Sequence, residues 1–129
     1  MQDAPSPTEI LTTVAAFLRD IVATEGRPRT AFQARVAANA VDLVRREIEL
    51  GDDGDRAERA RLLALLGEDR SLAEGNADLA SRIAAGEIGA ETPGLLDHLR
   101  ETTLAKLAVD QPTYSGYRAA LSEASAAKD

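Results

Sequence analysis

Apolar residues recur along the chain at intervals of three and four, the spacing that lines one face of a helix. Ile10, Leu11, Val14, Phe17, Leu18, Ile21 and Val22 form the first such stripe. Ser6 precedes it, with Pro7 in the first turn and Glu9 three residues on, a capping box that opens the helix. The pattern predicts an end before Gly26-Arg27-Pro28. Thr30 with Gln33 repeats the capping signature, and Phe32, Val36, Ala40, Leu43, Val44, Ile48 and Leu50 carry an inward stripe to about Gly51. Asp52-Asp53-Gly54-Asp55 reads as an acidic turn. A third helix follows from Arg56 to Leu66, with Gly67 as its C-terminal cap.

Ser71 with Glu74 opens a fourth helix, striped by Leu72, Leu79, Ala80 and Ile83 and closed by Gly86. Thr92-Pro93 opens a fifth, whose apolar face is Leu95, Leu96, Leu99, Leu104 and Leu107 and which reaches about Asp110. Pro112 interrupts the pattern, and a shorter sixth helix runs from Thr113 to about Ala124. Short loops favour antiparallel packing of neighbours. The expected fold is all-α: a single compact antiparallel bundle of about five to six helices, one domain over residues 1–129 with flexible ends at 1–6 and 124–129. Composition agrees, because aromatic residues make up only 3% of the chain while Ala, Leu, Arg and Glu, strong helix formers, dominate.

A chain of 129 residues can bury roughly two-thirds of its unfolded surface, enough to fold without a metal or disulfide. The absence of cysteine excludes disulfides, thiolate metal sites and a cysteine nucleophile. The polar, proline-bearing start lacks the pattern of a secretory signal. No apolar run approaches the roughly 18 residues of a membrane span. The expectation is a cytoplasmic protein with no membrane partner. The formal net charge of -7 argues against nucleic acid as a partner, since that partner demands a basic face.

His98 is the sole histidine, and its place off the main leucine stripe, beside Asp97 and near Glu101, predicts a surface or rim position. One histidine cannot supply the paired Glu-x-x-His motifs of a bundle di-iron site. No serine sits in a nucleophile turn with a base to match. The acidic turn at 52–55 lacks the ligand spacing of a calcium loop, and neither phosphate-loop motif occurs. No catalytic, cofactor-binding or metal-ligating residue is assigned, and the chain is read as a non-enzyme with no cofactor.

Three features remain as binding candidates. Arg27 and Arg29 stand just before a helix N-terminus, where guanidinium groups and free N–H groups both favour an anion. Asn39 lies between Val36 and Leu43 on the stripe read as inward, with Arg35 one turn before it. The stretch Lys106 to Arg118 packs Asp110, Gln111, Tyr114 and Tyr117 into a chain otherwise poor in aromatics, and Tyr and Arg are favoured at binding surfaces. The two segments carry complementary groups and are expected to meet, through an Arg35–Asp110 ion pair.

Phe32-Gln33-Ala34-Arg35-Val36-Ala37-Ala38-Asn39-Ala40 and the Lys106–Arg118 stretch resemble the signature segments of DUF6285, a bacterial family of small helical domains. Members are encoded beside, or fused to, aminoglycoside-phosphotransferase-like kinases and acyl-CoA dehydrogenases. The family often carries histidine where this chain has Gln33. The resemblance implies a non-catalytic accessory subunit of a phosphotransferase-like kinase acting on hydroxyacyl-CoA or a related small alcohol. Tyr114, Tyr117 and Arg118 are then the expected contact. The alternative is a small-molecule binder that takes the phosphate of an acyl-CoA or nucleotide at Arg27, Arg29 and Arg35. Homo-oligomerisation stays open.

Overall fold

The computed structural model describes residues 4–126, and the flexible ends expected at 1–6 and 124–129 fall partly outside them. The regular elements among the described residues are all helical: α1 (Pro7–Ala16), a π-helical segment (Phe17–Val22), α2 (Ala23–Glu25), α3 (Pro28–Leu66), α4 (Leu72–Ala84), α5 (Leu95–Asp110) and α6 (Ser115–Ala126). The all-α expectation holds. Contacts cluster into two compact units, Met1–Gly51 and Asp52–Asp129.

Local signals placed most helix ends. Ser6 caps α1 with a full capping box: its side chain accepts from the Glu9 N–H, and its own N–H donates to Glu9 at 2.7 Å. Ser71 and Glu74 repeat the arrangement at α4. Gly67 and Gly86 both take positive φ, the left-handed conformation that ends a helix at no cost to glycine. Two signals misled. Thr30 lies inside α3, which starts at Pro28, because proline suits a first turn whose N–H groups are free anyway. Thr92 does not open α5; its hydroxyl accepts from the Gly89 N–H and closes a turn, and the helix begins after Gly94.

The acidic turn expected at 52–55 does not form. α3 runs unbroken for 39 residues through Gly51 and Gly54. Two helical glycines cost about 1 kcal/mol each, too little to break a helix that other groups support. Here Glu47 lies over Gly51, and Arg56 pairs with Asp53 at 2.6 Å one turn back.

The first unit is built on alanine. Its buried residues are Ala15, Ala23, Ala31, Ala34 and Ala38. Leu11, Leu18, Val22 and Val41 are half-buried beside them. The large apolar residues expected inside α3 are open instead: Phe32 is 65% exposed, and Val36, Leu43, Val44, Ile48 and Leu50 are exposed too. Small side chains let two helices approach closely, and whichever stripe carries them becomes the seam. Asn39, read from sequence as a core amide, is also exposed, and it accepts from Arg19 at 3.3 Å. Arg19, on the π segment, pairs with Asp42 at 2.9 Å.

The second unit has a conventional leucine core. Leu62, Leu66, Leu79, Ile88 and Leu95 are buried together, with Leu65 and Leu72 packed against them. Gly75 is buried in the middle of α4, where a Cβ would stand 3.1 Å from the Leu62 side chain. The glycine lets the two helices close on that leucine. Arg59 and Asp69 clamp the chain across the end of α3 through two hydrogen bonds of 2.7 and 3.0 Å.

Candidate functional site

His98 breaks the sequence expectation. It is 1% exposed, the largest fully buried side chain among the described residues, not a rim residue. On α5 it lies three residues after Leu95, so the turn that buries the leucine buries the imidazole as well. Its Nδ1 has no hydrogen-bond partner among the described residues. Burial lowers its pKa first, the positive charge of Arg61 lowers it further, and Glu58 opposes them weakly. The ring is therefore held neutral.

Arg61 is the other anomaly. It is half-buried on α3, donates from Nη2 to the Thr102 hydroxyl at 3.2 Å, and has a buried Nε with no partner. Nearby Glu58 is engaged by the Asn76 amide at 2.6 Å. No carboxylate lies within ion-pair distance of Arg61 among the described residues.

Arg61 lines an open cleft of about 270 Å³ within the second unit. α3 supplies Gly54, Ala57 and Arg61; α5 supplies Glu101, Leu104, Ala105 and Ala108; Tyr117 and Leu121 come from α6. On the far side of Leu104 a second cleft, about 420 Å³, is lined by Leu99, Arg100, Leu107 and Tyr114 among others. Tyr114 lies over Gly116, where a Cβ would stand 2.7 Å from the ring. A third, of about 500 Å³, holds Asp52, Asp55, Arg56 and Arg59.

The sequence-derived candidates divide between the units. Arg27, Arg29, Arg35 and Asn39 belong to the first, and Lys106, Asp110, Gln111, Tyr114, Tyr117 and Arg118 to the second. Arg27 and Arg29 are exposed and make no side-chain hydrogen bond or ion pair among the described residues. Arg35 and Asp110, expected to pair, are each exposed and belong to different units. Lys106 and Arg118 are exposed, and Gln111 caps α5 through its N–H to the Leu107 carbonyl. Tyr114 and Tyr117 each reach a cleft wall. Sequence reasoning missed Arg61, one of thirteen arginines, because nothing local marks which of them is half-buried beside a cleft without a carboxylate.

No group of three or more His, Asp or Glu side chains among the described residues could hold a metal ion, and no described helix is long and apolar enough to cross a membrane. The fold is all-α among the described residues, in two compact units. The chain belongs to the family described as Domain of unknown function (DUF6285), which matches residues 13–114. No curated protein and no solved structure gives a match.

Proposed function

We propose that this protein is a non-catalytic accessory subunit that docks on a partner protein through the apolar residues left open on its first unit. One observation carries the reading. Ten of the sixteen large apolar residues exposed among the described residues lie between Ile10 and Leu50. On the first helical run they are Ile10, Val14, Phe17 and Ile21, at successive spacings of four, three and four, which is the seam spacing of a packed helix. Exposed apolar surface of this continuity marks interaction sites. Phe17 at 56% and Phe32 at 65% exposure are the natural anchors, since aromatic side chains concentrate interface energy.

The partner of first choice is the phosphotransferase-like kinase that the DUF6285 resemblance implies, with hydroxyacyl-CoA or a related small alcohol as its substrate. The test mixes that kinase with this protein at micromolar concentration and measures both complex formation and kinase turnover. A complex with altered turnover is expected. Phe17→Asp weakens binding by at least about tenfold with the helical signal intact, as loss of a hot-spot residue does, while Arg27→Gln leaves binding unchanged. Absence of a complex together with unchanged turnover would sink the proposal.

A further inference from the structure

Every arginine lining the two larger clefts has a carboxylate partner. Arg56 pairs with Asp53, Arg59 with Asp69, and Arg100 with Glu101. Arg61 alone lines a described cleft without one. Arg27, Arg29, Arg35 and Arg118 also lack ion pairs among the described residues, but they are exposed and water solvates them. Arg61 is half-buried, with a buried and unpartnered Nε; His98 lies near it and Glu101 lines the same cleft, but no carboxylate is within ion-pair distance of it among the described residues. A partly buried guanidinium with an unpartnered Nε and no ion pair leaves part of its hydrogen-bonding capacity unmet. It is conspicuous in a chain with 22 acidic residues against 15 basic ones.

We infer that the Arg61 cleft is a binding site for a small monocarboxylic acid with an apolar body. The guanidinium supplies the counter-charge: Nη1 has no protein partner among the described residues and can donate to a carboxylate oxygen. Leu104, Ala105, Ala108 and Leu121 form apolar walls for the body of the acid, and Tyr117 lines the same cleft. Size limits the ligand. The cleft, about 270 Å³ and open to solvent, falls just below the roughly 300 Å³ at which ordinary ligand pockets begin, so a small acid such as a six-carbon one is a fitting probe. Charge limits it too. Glu101 stands on the same wall, and a second anionic group on the ligand would meet that carboxylate. The site stands independently of the docking face on the first unit.

The probe is hexanoate, titrated into the full chain and followed by backbone amide shifts, with hexanol, succinate and inorganic phosphate as controls. The expected result is saturable shifts centred on Ala57, Ala105, Ala108 and Tyr117 with hexanoate, and much weaker ones with each control. Arg61→Gln should weaken binding about tenfold or more, as loss of a charge-assisted pair does, while Arg118→Gln changes nothing. Ala105→Phe, at an exposed position, fills the cleft and abolishes binding even if Arg61→Gln fails to fold. A second readout is internal. A carboxylate on Arg61 offsets the charge that disfavours protonation of His98, so bound hexanoate raises the pKa of that single histidine. Absence of shifts at millimolar hexanoate, equal binding of hexanol or phosphate, or full affinity in a folded Arg61→Gln variant would overturn the inference. So would a peptide ending in leucine that binds far more tightly than hexanoate, which would make the cleft a reader of chain termini.

Discussion

His98 is where the chemistry of one residue reaches the stability of the fold. Burial and the Arg61 charge hold its pKa below the ordinary value. The unfolded chain therefore takes up a proton more readily than the folded one. The sign follows from linkage: this contribution to stability is complete above the unfolded pKa of about 6.5 and is lost as pH falls through the folded value. Thermal midpoints measured from about pH 8 down to pH 5 should fall on the acid side of about 6.5. His98→Leu should flatten that slope. The carboxylates of Glu9, Asp69 and Glu74 are held below their usual range, Asp69 chiefly by its hydrogen bond from Arg59 and the other two by their capping serines. They lose their contribution only at lower pH, so the histidine window stands clear of them. Identical pH profiles for the wild type and His98→Leu would refute a buried neutral ring.

At the scale of the element, α4 shows how a weak local preference yields to packing. Gly75 sits in its interior, where alanine would add helix propensity of about 1 kcal/mol. The Leu62 side chain occupies the space. Gly75→Val should destabilise the protein by about 1–3 kcal/mol, the usual cost of overpacking a core, as read from the urea midpoint. A wild-type midpoint in the variant would mean that α3 and α4 are not closed on each other at this point. α3 makes the same lesson in reverse: Gly51 and Gly54 stand in a helix that ignores them.

The two units should differ in how easily they open. Fully burying a leucine is worth about 1.5–3 kcal/mol, and each methylene missing from the seam removes about 0.8. The first unit buries five alanines; the second buries Leu62, Leu66, Leu79, Ile88, Leu95 and Val109. Amide hydrogen exchange should therefore show lower protection across residues 7–51 than across α4 and α5, because local opening follows buried apolar contact. Equal protection in the isolated protein would contradict the alanine-built account. Binding of a partner to the open stripe should raise protection selectively in the first unit, by mass action on its closed form.

The sequence by itself determined what depends on neighbours within one turn. Serine three residues before glutamate, proline in a first turn and glycine after a last turn satisfy or release backbone groups locally, so the helical class, the caps at Ser6 and Ser71 and the ends at Gly67 and Gly86 were legible. The Tyr114–Tyr117 segment was legible as unusual, and both rings do reach clefts. Tertiary structure decided what depends on partners far along the chain. Two adjacent stripes of equal periodicity run along the first unit, and close approach selected the alanines for the seam while Phe32 and Val36 stayed open. Whether a glycine breaks a helix, whether an asparagine is inward, and which half-buried arginine lines a cleft without a carboxylate are settled by what lies across a contact. Arg61 and His98 come together for that reason: they are distant in sequence, and only packing buries the imidazole near the half-buried guanidinium.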